Sequence, residues 1–257
     1  MTFNIRYDTD DDGSNEWKYR KDKVISQILF HNVHVLGIQE GLSNQVQDLR
    51  KGLSGYDFVG VGRGGNKKGE YSAIFYDKSR LTLLQSQTFW LSEHPARIGK
   101  KGWDANFPRI VTWAKFRDRK NKNNFYVFNT HFDNDGAVAR RESSKLLLLK
   151  VRQIAGKVSC IITGDFNSIP TDEPIQVLTD INSPDRFLDT KTISELPHFG
   201  PKGTFNEFSS KAISDQPIDY IFTKSGVRVL RHATFSESWE GQFSSDHFPV
   251  SATVIIK

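Results

Sequence analysis

Apolar positions along the chain follow two periods that alternate. Thr2 to Tyr7 alternates like a half-buried strand and runs into an acidic loop, Asp8-Thr9-Asp10-Asp11-Asp12-Gly13. From Trp17 to Asn32, residues Val24, Ile25, Ile28 and Leu29 recur at helical spacing, which predicts a helix with one face against a sheet. Val35-Leu36-Gly37-Ile38 reads as a buried strand ending at Gln39-Glu40. A second helix is predicted from Ser43, taken as its N-cap, to Leu53. The middle of the chain reads as strands over 57–61, 71–76, 81–91, 110–116 and 125–130, separated by Gly-rich or charged turns. A long helix from Val138 to Ala155 returns the chain to an apolar run that closes on Gly164-Asp165-Phe166-Asn167. A short helix over 173–178 and strands over 217–222, 228–235 and 248–256 follow. Helical and extended segments interleave with no internal repeat or linker, so residues 1–257 are read as one α/β domain.

Composition changes this picture little. With 37% hydrophobic and 25% charged residues, the chain is ordinary globular protein. The formal charge of +5 suits an anionic substrate, but the basic residues are spread along the sequence, so charge alone does not indicate nucleic acid. The lone cysteine, Cys160, lies inside an apolar strand and reads as core. No run of 18 apolar residues predicts a transmembrane helix. No secretory leader is visible, and the chain opens directly on a strand-like segment. A monomer is expected, with two localisations open: soluble in the cytoplasm, or exported with a leader removed.

Candidate chemistry gathers where apolar strands end. Asn4, Glu40, His131, Asp165, Asn167, Asp219, Asp246 and His247 all stand at or beside such boundaries. Each alone has a bland account as a cap or turn, and Asp165-Phe166-Asn167 could be a simple Asx turn. Together, several carboxylates converging on one place would repel unless a hard cation neutralised them, and adjacent carboxylates would fix the histidines in one tautomer or keep them charged. Other signals are weaker. The acidic loop matches the start of a calcium loop, but its twelfth position is Tyr19 rather than glutamate, so a solvated loop is favoured. His31 and His34 lack a third ligand and read as helix-end histidines. Arg63-Gly64-Gly65-Asn66-Lys67-Lys68-Gly69 lacks the Walker pattern and reads as a hairpin rather than a phosphate cradle. The aromatic-rich connection from Trp90 to Arg109 is long and is a candidate substrate-facing loop, with Arg109 able to offer a phosphate a bidentate contact.

The segments Phe3-Asn4, Gln39-Glu40, Asn129-Thr130-His131, Gly164-Asp165-Phe166-Asn167, Ile218-Asp219-Tyr220 and Ser245-Asp246-His247 resemble the ordered motif set of the endonuclease/exonuclease/phosphatase superfamily. The resemblance runs from residue 3 to residue 248. It implies a DNase I-like, four-layered α/β sandwich of two packed mixed β-sheets flanked by helices, and a hydrolase that attacks a phosphoric ester in line with an activated water. It also implies Mg²⁺, with Mn²⁺ as a substitute, held chiefly by Glu40 with Asn4 and Asp246 close by. Asp165 would orient or deprotonate the water, Asn167 would hold the phosphate, and His247, paired with Asp219, would stabilise charge or act as the base. His131 would be a second catalytic histidine oriented by Glu70, and Arg109 a phosphate-binding arginine. The expected substrate is a phosphate ester of a nucleic acid, nucleotide, phospholipid or sugar. The wording of the motifs is closest to the deadenylase-like and bacterial phosphodiesterase branches, and Ile5-Arg6-Tyr7-Asp8 departs from the abasic-site endonucleases. A phosphate-binding module that keeps the fold without turnover is the alternative.

Overall fold

The computed structural model describes residues 1–224 and 226–256; Ser225 and Lys257, which fall within the span read as one domain, lie outside the described residues. In chain order the elements are β1 (Thr2–Asn4), α1 (Trp17–Phe30), β2 (Val35–Gln39), α2 (Ser43–Gly52), β3 (Tyr56–Val59), β4 (Ile74–Asp77), β5 (Leu81–Trp90), β6 (Ile110–Asp118), β7 (Asn124–His131), α3 (Ala137–Ala155), β8 (Cys160–Asp165), α4 (Glu173–Thr179), β9 (Leu188–Asp189), α5 (Thr190–Ile193), β10 (Asp219–Thr223), β11 (Val227–Thr234), β12 (Ser238–Trp239), β13 (Gln242–Phe243) and β14 (Val250–Ile256).

Two six-stranded mixed sheets form, ordered β11-β14-β1-β2-β4-β3 and β5-β6-β7-β8-β10-β9. Each contains a parallel pair, β1 with β2 and β7 with β8, whose connections run through α1 and α3. Alternation along the strands sends side chains to two different cores. The outer face of the first sheet buries Phe3, Leu36, Ile38 and Phe75 against Val24 and Ile28 of α1 and Val46 and Leu49 of α2. The outer face of the second buries Phe128, Ile162 and Phe222 against Leu147 and Val151 of α3 and Ile175 and Leu178 of α4, with Cys160 in the same cluster. The inner faces meet through Ile74, Tyr76, Ala114, Phe116, Phe125 and Val127. The order helix, sheet, sheet, helix is the sandwich the motifs implied.

Between the sheets, the layer nearest the strand ends that carry Asn4, Glu40 and Asp165 is polar. Asn129 of β7 donates to the carbonyls of Ile38 (2.8 Å) and Ala73 (3.0 Å), and its Oδ1 accepts from Gln39 Nε2 (2.7 Å) and Thr163 Oγ1 (2.9 Å). The sheets approach so closely here that a Cβ at Gly37 would collide with Thr163 Oγ1 and Asn129 Oδ1. Gln39 Oε1 is left without a partner among the described residues, but the bonds that Asn129 makes to both sheets tolerate only one alignment, so this buried layer sets the relative position of the two sheets.

Several boundaries differ from expectation. The first strand stops at Asn4 rather than Tyr7, because Asn4 Oδ1 accepts from Arg6 N (3.0 Å) and Arg6 turns into the left-handed region (φ 55°). Ser43 is not the N-cap of α2. Leu42 holds that position, and Gln45 reaches back to its N–H (3.0 Å) and also accepts from Asp8 N (3.0 Å). The acidic loop winds into a short 3₁₀ turn, Asp10–Asn15, with Asp12 paired to Arg6 at 2.9 Å. Residues 62–70 form a hairpin turn whose N–H groups at Gly62, Arg63 and Gly64 are taken by the carbonyls of Asn66, Glu70 and Lys68, so they offer no phosphate cradle. His31 caps α1 and pairs with Glu237 (2.8 Å). Among the described residues, no helix is long and apolar enough to cross a membrane.

Candidate active site

Strand register assembles the site. His131 at the end of β7 stands opposite Asp165 at the end of β8, and Asp165 stands opposite Asp219 at the start of β10. These residues, far apart in sequence, are thereby neighbours across three adjacent strands. From the other sheet, Asn4 ends β1 beside Gln39, and Glu40 follows at once in the left-handed region (φ 64°), a strained conformation for a non-glycine residue. Asp246 and His247 lie just before β14, where Ser245 Oγ donates to the Asn4 carbonyl (2.7 Å) and ties the final turn to β1.

Asp165 is the hub. Its Oδ2 accepts from Asn4 Nδ2 (2.9 Å) and lies 3.5 Å from His131 Nε2 and 3.8 Å from His247 Nε2, while Oδ1 accepts from Asn167 N (2.9 Å). The Asx turn read from Asp165-Phe166-Asn167 is therefore present, as part of the site. Asn167, itself left-handed (φ 46°), donates its side-chain amide to His131 Nε2 (3.0 Å) and to the Phe132 carbonyl (3.0 Å). Both amide hydrogens are spent in this arrangement, so Asn167 fixes His131 rather than presenting an N–H to a phosphate. His131 Nε2 then accepts, its proton sits on Nδ1, and Nδ1 is buried without a partner among the described residues.

Three buried groups are held in distinct protonation states. Burial and the neighbouring Asp219 carboxylate raise Asp165 above the usual carboxylate range, opposed by His247 and the hydrogen bonds from Asn4 and Asn167. Burial opposes charge on His247 as well, but Asp219, whose Oδ2 accepts from Nδ1 at 2.8 Å, together with Asp165 and Asp246, outweighs it and lifts the imidazole well above its ordinary value. His131 moves the other way. Burial, then Arg109, His247 and Arg63, hold it neutral. One charged and one neutral imidazole therefore flank a single carboxylate.

The expected metal ligands divide. Glu40 is partly exposed, its Oε1 accepts from Asn4 Nδ2 (2.9 Å) and its Oε2 from Tyr7 N (3.1 Å). Asp246 Oδ1 lies 3.2 Å from Ser245 Oγ, and its Oδ2 lies 3.9 Å from Arg6 Nη1; burial, and repulsion from Glu40 against the pull of His247, raise its pKa. Two carboxylates that repel each other, one partly exposed and one buried, are a donor set that suits a hard divalent cation. Asn4 differs from expectation, since its amide nitrogen bridges Glu40 and Asp165 and its oxygen accepts from Arg6 N, so it joins the carboxylates instead of presenting an oxygen between them. Asp165, Asp219 and His247 also bring ligand atoms within 4.8 Å of one another and could hold a metal, but an ion there would have to displace the His247 proton.

Glu70 is a correction. It makes a two-pronged pair with Arg63 (2.7 and 2.9 Å) and no hydrogen bond to His131. The cause is the hairpin, which sets residues 63 and 70 directly across from each other through Arg63 N and the Glu70 carbonyl (2.8 Å). Burial still pushes Glu70 up to about 7, against the pull of Arg63. Arg109 is 5% exposed and reaches Asp133 (3.2 Å) and Asn134 (2.8 Å). The ring of Phe107, 44% exposed, lies 4.5 Å from the Arg63 guanidinium and 5.8 Å from that of Arg109. Asp133 was not singled out from sequence, and Arg63 entered only as the first residue of the 63–69 hairpin stretch. The signal for Asp133 was its place two residues after His131 in Asp133-Asn134-Asp135-Gly136, which reads as a helix cap.

The sequence profile described as the Endonuclease/Exonuclease/phosphatase family matches residues 1–247. This chain belongs to that family. A solved endonuclease/exonuclease/phosphatase from Bacteroides vulgatus is 40% identical, with a TM-score of 0.94, and the match covers 100% of this chain and 97% of that one. The mannosyl-6-phosphatase of Bacteroides thetaiotaomicron is 31% identical, with a TM-score of 0.91, over 99% of this chain and 98% of that one. Protein angel of Drosophila melanogaster is 26% identical over 228 residues, 82% of this chain and 60% of that protein. The family groups hydrolytic phosphoesterases, among them nucleases, phosphatases and deadenylases, and is generally divalent-metal dependent.

Proposed function

We propose that this chain is a single-domain, Mg²⁺-dependent phosphoesterase, able to use Mn²⁺, that hydrolyses a phosphate monoester of a small polar molecule such as a sugar. The observation that carries the reading is the Asp165 carboxylate set between a charged His247 and a neutral His131, a pairing that divides base from cation. Asp165, raised by burial, takes the proton of the attacking water as the new P–O bond forms and the ester P–O bond breaks in line; the departing alkoxide oxygen takes a proton from solvent and leaves as the alcohol, and Asp165 returns its proton to solvent. His247, kept protonated by Asp219, stabilises the charge that develops on the phosphoryl oxygens. His131 stays neutral, so it does not compete as a second cation for Asp165, and Arg109 receives the phosphate. Glu40 and Asp246 would hold the metal, which when bound supplies positive charge to the phosphoryl group.

The monoester preference is supported by the full-length similarity to a mannosyl-6-phosphatase. The purified protein with Mg²⁺ is tested on p-nitrophenyl phosphate, mannose 6-phosphate, bis-p-nitrophenyl phosphate and single-stranded RNA. Turnover of the monoesters, lost with EDTA and restored by Mg²⁺ or Mn²⁺, is expected. Faster cleavage of the diester or RNA would overturn the monoester assignment, and no turnover of any of them would leave a binding module.

A further inference from the structure

Asp133 is 1% exposed and accepts from donors on two separate pieces of chain. Its Oδ1 takes the N–H groups of Asn106 (3.2 Å), Asp135 (3.2 Å) and Gly136 (2.9 Å), and its Oδ2 takes Phe107 N (3.3 Å) and Arg109 Nε (3.2 Å). A carboxylate offers about four lone-pair directions, so these donors saturate it. In keeping with this, the hydrogen bonds and Arg109 outweigh burial and draw its pKa below the usual value. Asn134 completes the grip, its Oδ1 accepting from Arg109 Nη2 (2.8 Å). No hydrogen bond within the described residues takes Arg109 Nη1, so the two anchors hold the guanidinium by its Nε–Nη2 edge and leave Nη1 without a protein partner.

We propose that Asp133 and Asn134 are positioning residues that set Arg109, and the Asn106–Arg109 segment with it, for the phosphate of the substrate. The proposal rests on the phosphoesterase reading for its substrate but not for its geometry. A flexible arginine loses rotamer freedom when it clamps an anion. One already fixed at Nε and Nη2 has met that cost in folding, so affinity is gained without a new contact. The same carboxylate ties the segment to the turn that opens α3, two residues after His131. The arginine is thus registered to the strand end that carries the histidine. Asp104 reinforces the joint by accepting from Val138 N (3.2 Å) and Ala139 N (2.6 Å) at the start of α3.

The test compares Asp133→Asn, Asn134→Ala and Arg109→Ala, and each of the first two combined with the third. In Asp133→Asn, an amide N–H must face a donor on one of its two sides, which disrupts the anchor. The readouts are KM and kcat for p-nitrophenyl phosphate, the dissociation constant of inorganic phosphate by calorimetry, and the melting temperature. Asp133→Asn is expected to raise KM and the phosphate Kd by about 10-fold while kcat changes less than about 3-fold, the size of one charge-assisted hydrogen bond. Asn134→Ala should act in the same direction and more weakly. In the Arg109→Ala background, neither should add more than about 2-fold, because residues acting through one partner are not additive. Unchanged KM and Kd in the single variants, or effects that multiply fully with Arg109→Ala, would overturn the proposal. If Asp133→Asn does not fold, the Asn134 cycle decides alone. Phosphate calorimetry needs no turnover, so an inactive wild type would sink the phosphoesterase reading while the positioning claim is still decided by binding.

Discussion

Replacing Asp219 by asparagine isolates what the carboxylate does for His247. Both side chains are buried, and among the described residues the 2.8 Å contact from His247 Nδ1 to Asp219 Oδ2 is the only hydrogen bond of that carboxylate, since Oδ1 has no partner there. With charge centres about 4 Å apart and an effective dielectric near 20, the pair is worth about 4 kcal/mol. The asparagine oxygen keeps an ordinary hydrogen bond of about 1–1.5 kcal/mol, so about 2–3 kcal/mol of imidazolium stabilisation is lost. At about 1.4 kcal/mol per tenfold, kcat should fall about 10²-fold while KM changes less than about 3-fold. The pH profile should move as well. His247 must be protonated, and with its raised pKa brought down, activity is lost at lower pH on the alkaline side. Asp165 is raised partly by Asp219, so removing that charge lowers its pKa and shifts the acid limb down too. Steady-state hydrolysis of p-nitrophenyl phosphate from pH 5 to 9, with the melting temperature as a control, measures both limbs. A kcat within about 5-fold of wild type at every pH, or a loss confined to KM, would refute the pairing as a source of catalysis.

Two further outcomes concern the scaffold. Gly37→Ala pushes a methyl group into Asn129 and Thr163 at the polar inter-sheet layer, and denaturant titration should show a loss of about 2 kcal/mol; a loss under about 0.5 kcal/mol would mean the sheets are not registered there. His198 donates Nε2 to the Pro201 carbonyl (3.0 Å), so its Nδ1 accepts from His232 (2.9 Å), and burial, then His198 and Lys191, push His232 down to about 3. The unfolded chain therefore takes the proton first, near pH 6.5. Stability from this group is complete above that pH and falls as pH drops toward 3, by about 2 kcal/mol at pH 5. His232→Asn should flatten this dependence, and an unchanged slope between pH 7 and pH 5 would contradict it.

The helices, the strands and the polar residues at strand ends were legible because each is a local pattern. Val24 and Ile28 repeat at helical spacing, and Gly164-Asp165 breaks an apolar run. The adjacency of His131, Asp165 and Asp219 was not legible from spacing, because it depends on the pairing of β8 with β10 across more than fifty residues of chain. The resemblance supplied it instead. Glu70 was misplaced for a related reason. Its partner is decided by hairpin register, where a shift of one position changes which side chains face each other. Ser43 looked like an N-cap, but Gln45 satisfied the helix end from inside the first turn. Asn4 and Asn167 were identified as site residues by type, yet which end of each amide faces inward follows from neighbours that only the fold brings close. Asp133 was hidden because a cap-like sequence conceals that its other oxygen serves a loop some twenty-five residues earlier.

The most direct measurement is single-turnover hydrolysis of p-nitrophenyl phosphate by the wild type and Asp165→Asn at saturating Mg²⁺. Asparagine keeps the shape and the Asn167 N–H contact but cannot take a proton from water, so the rate should fall about 10³-fold or more while inorganic phosphate still binds. A variant that turns over at the wild-type rate, with the same dependence on Mg²⁺, would contradict the account.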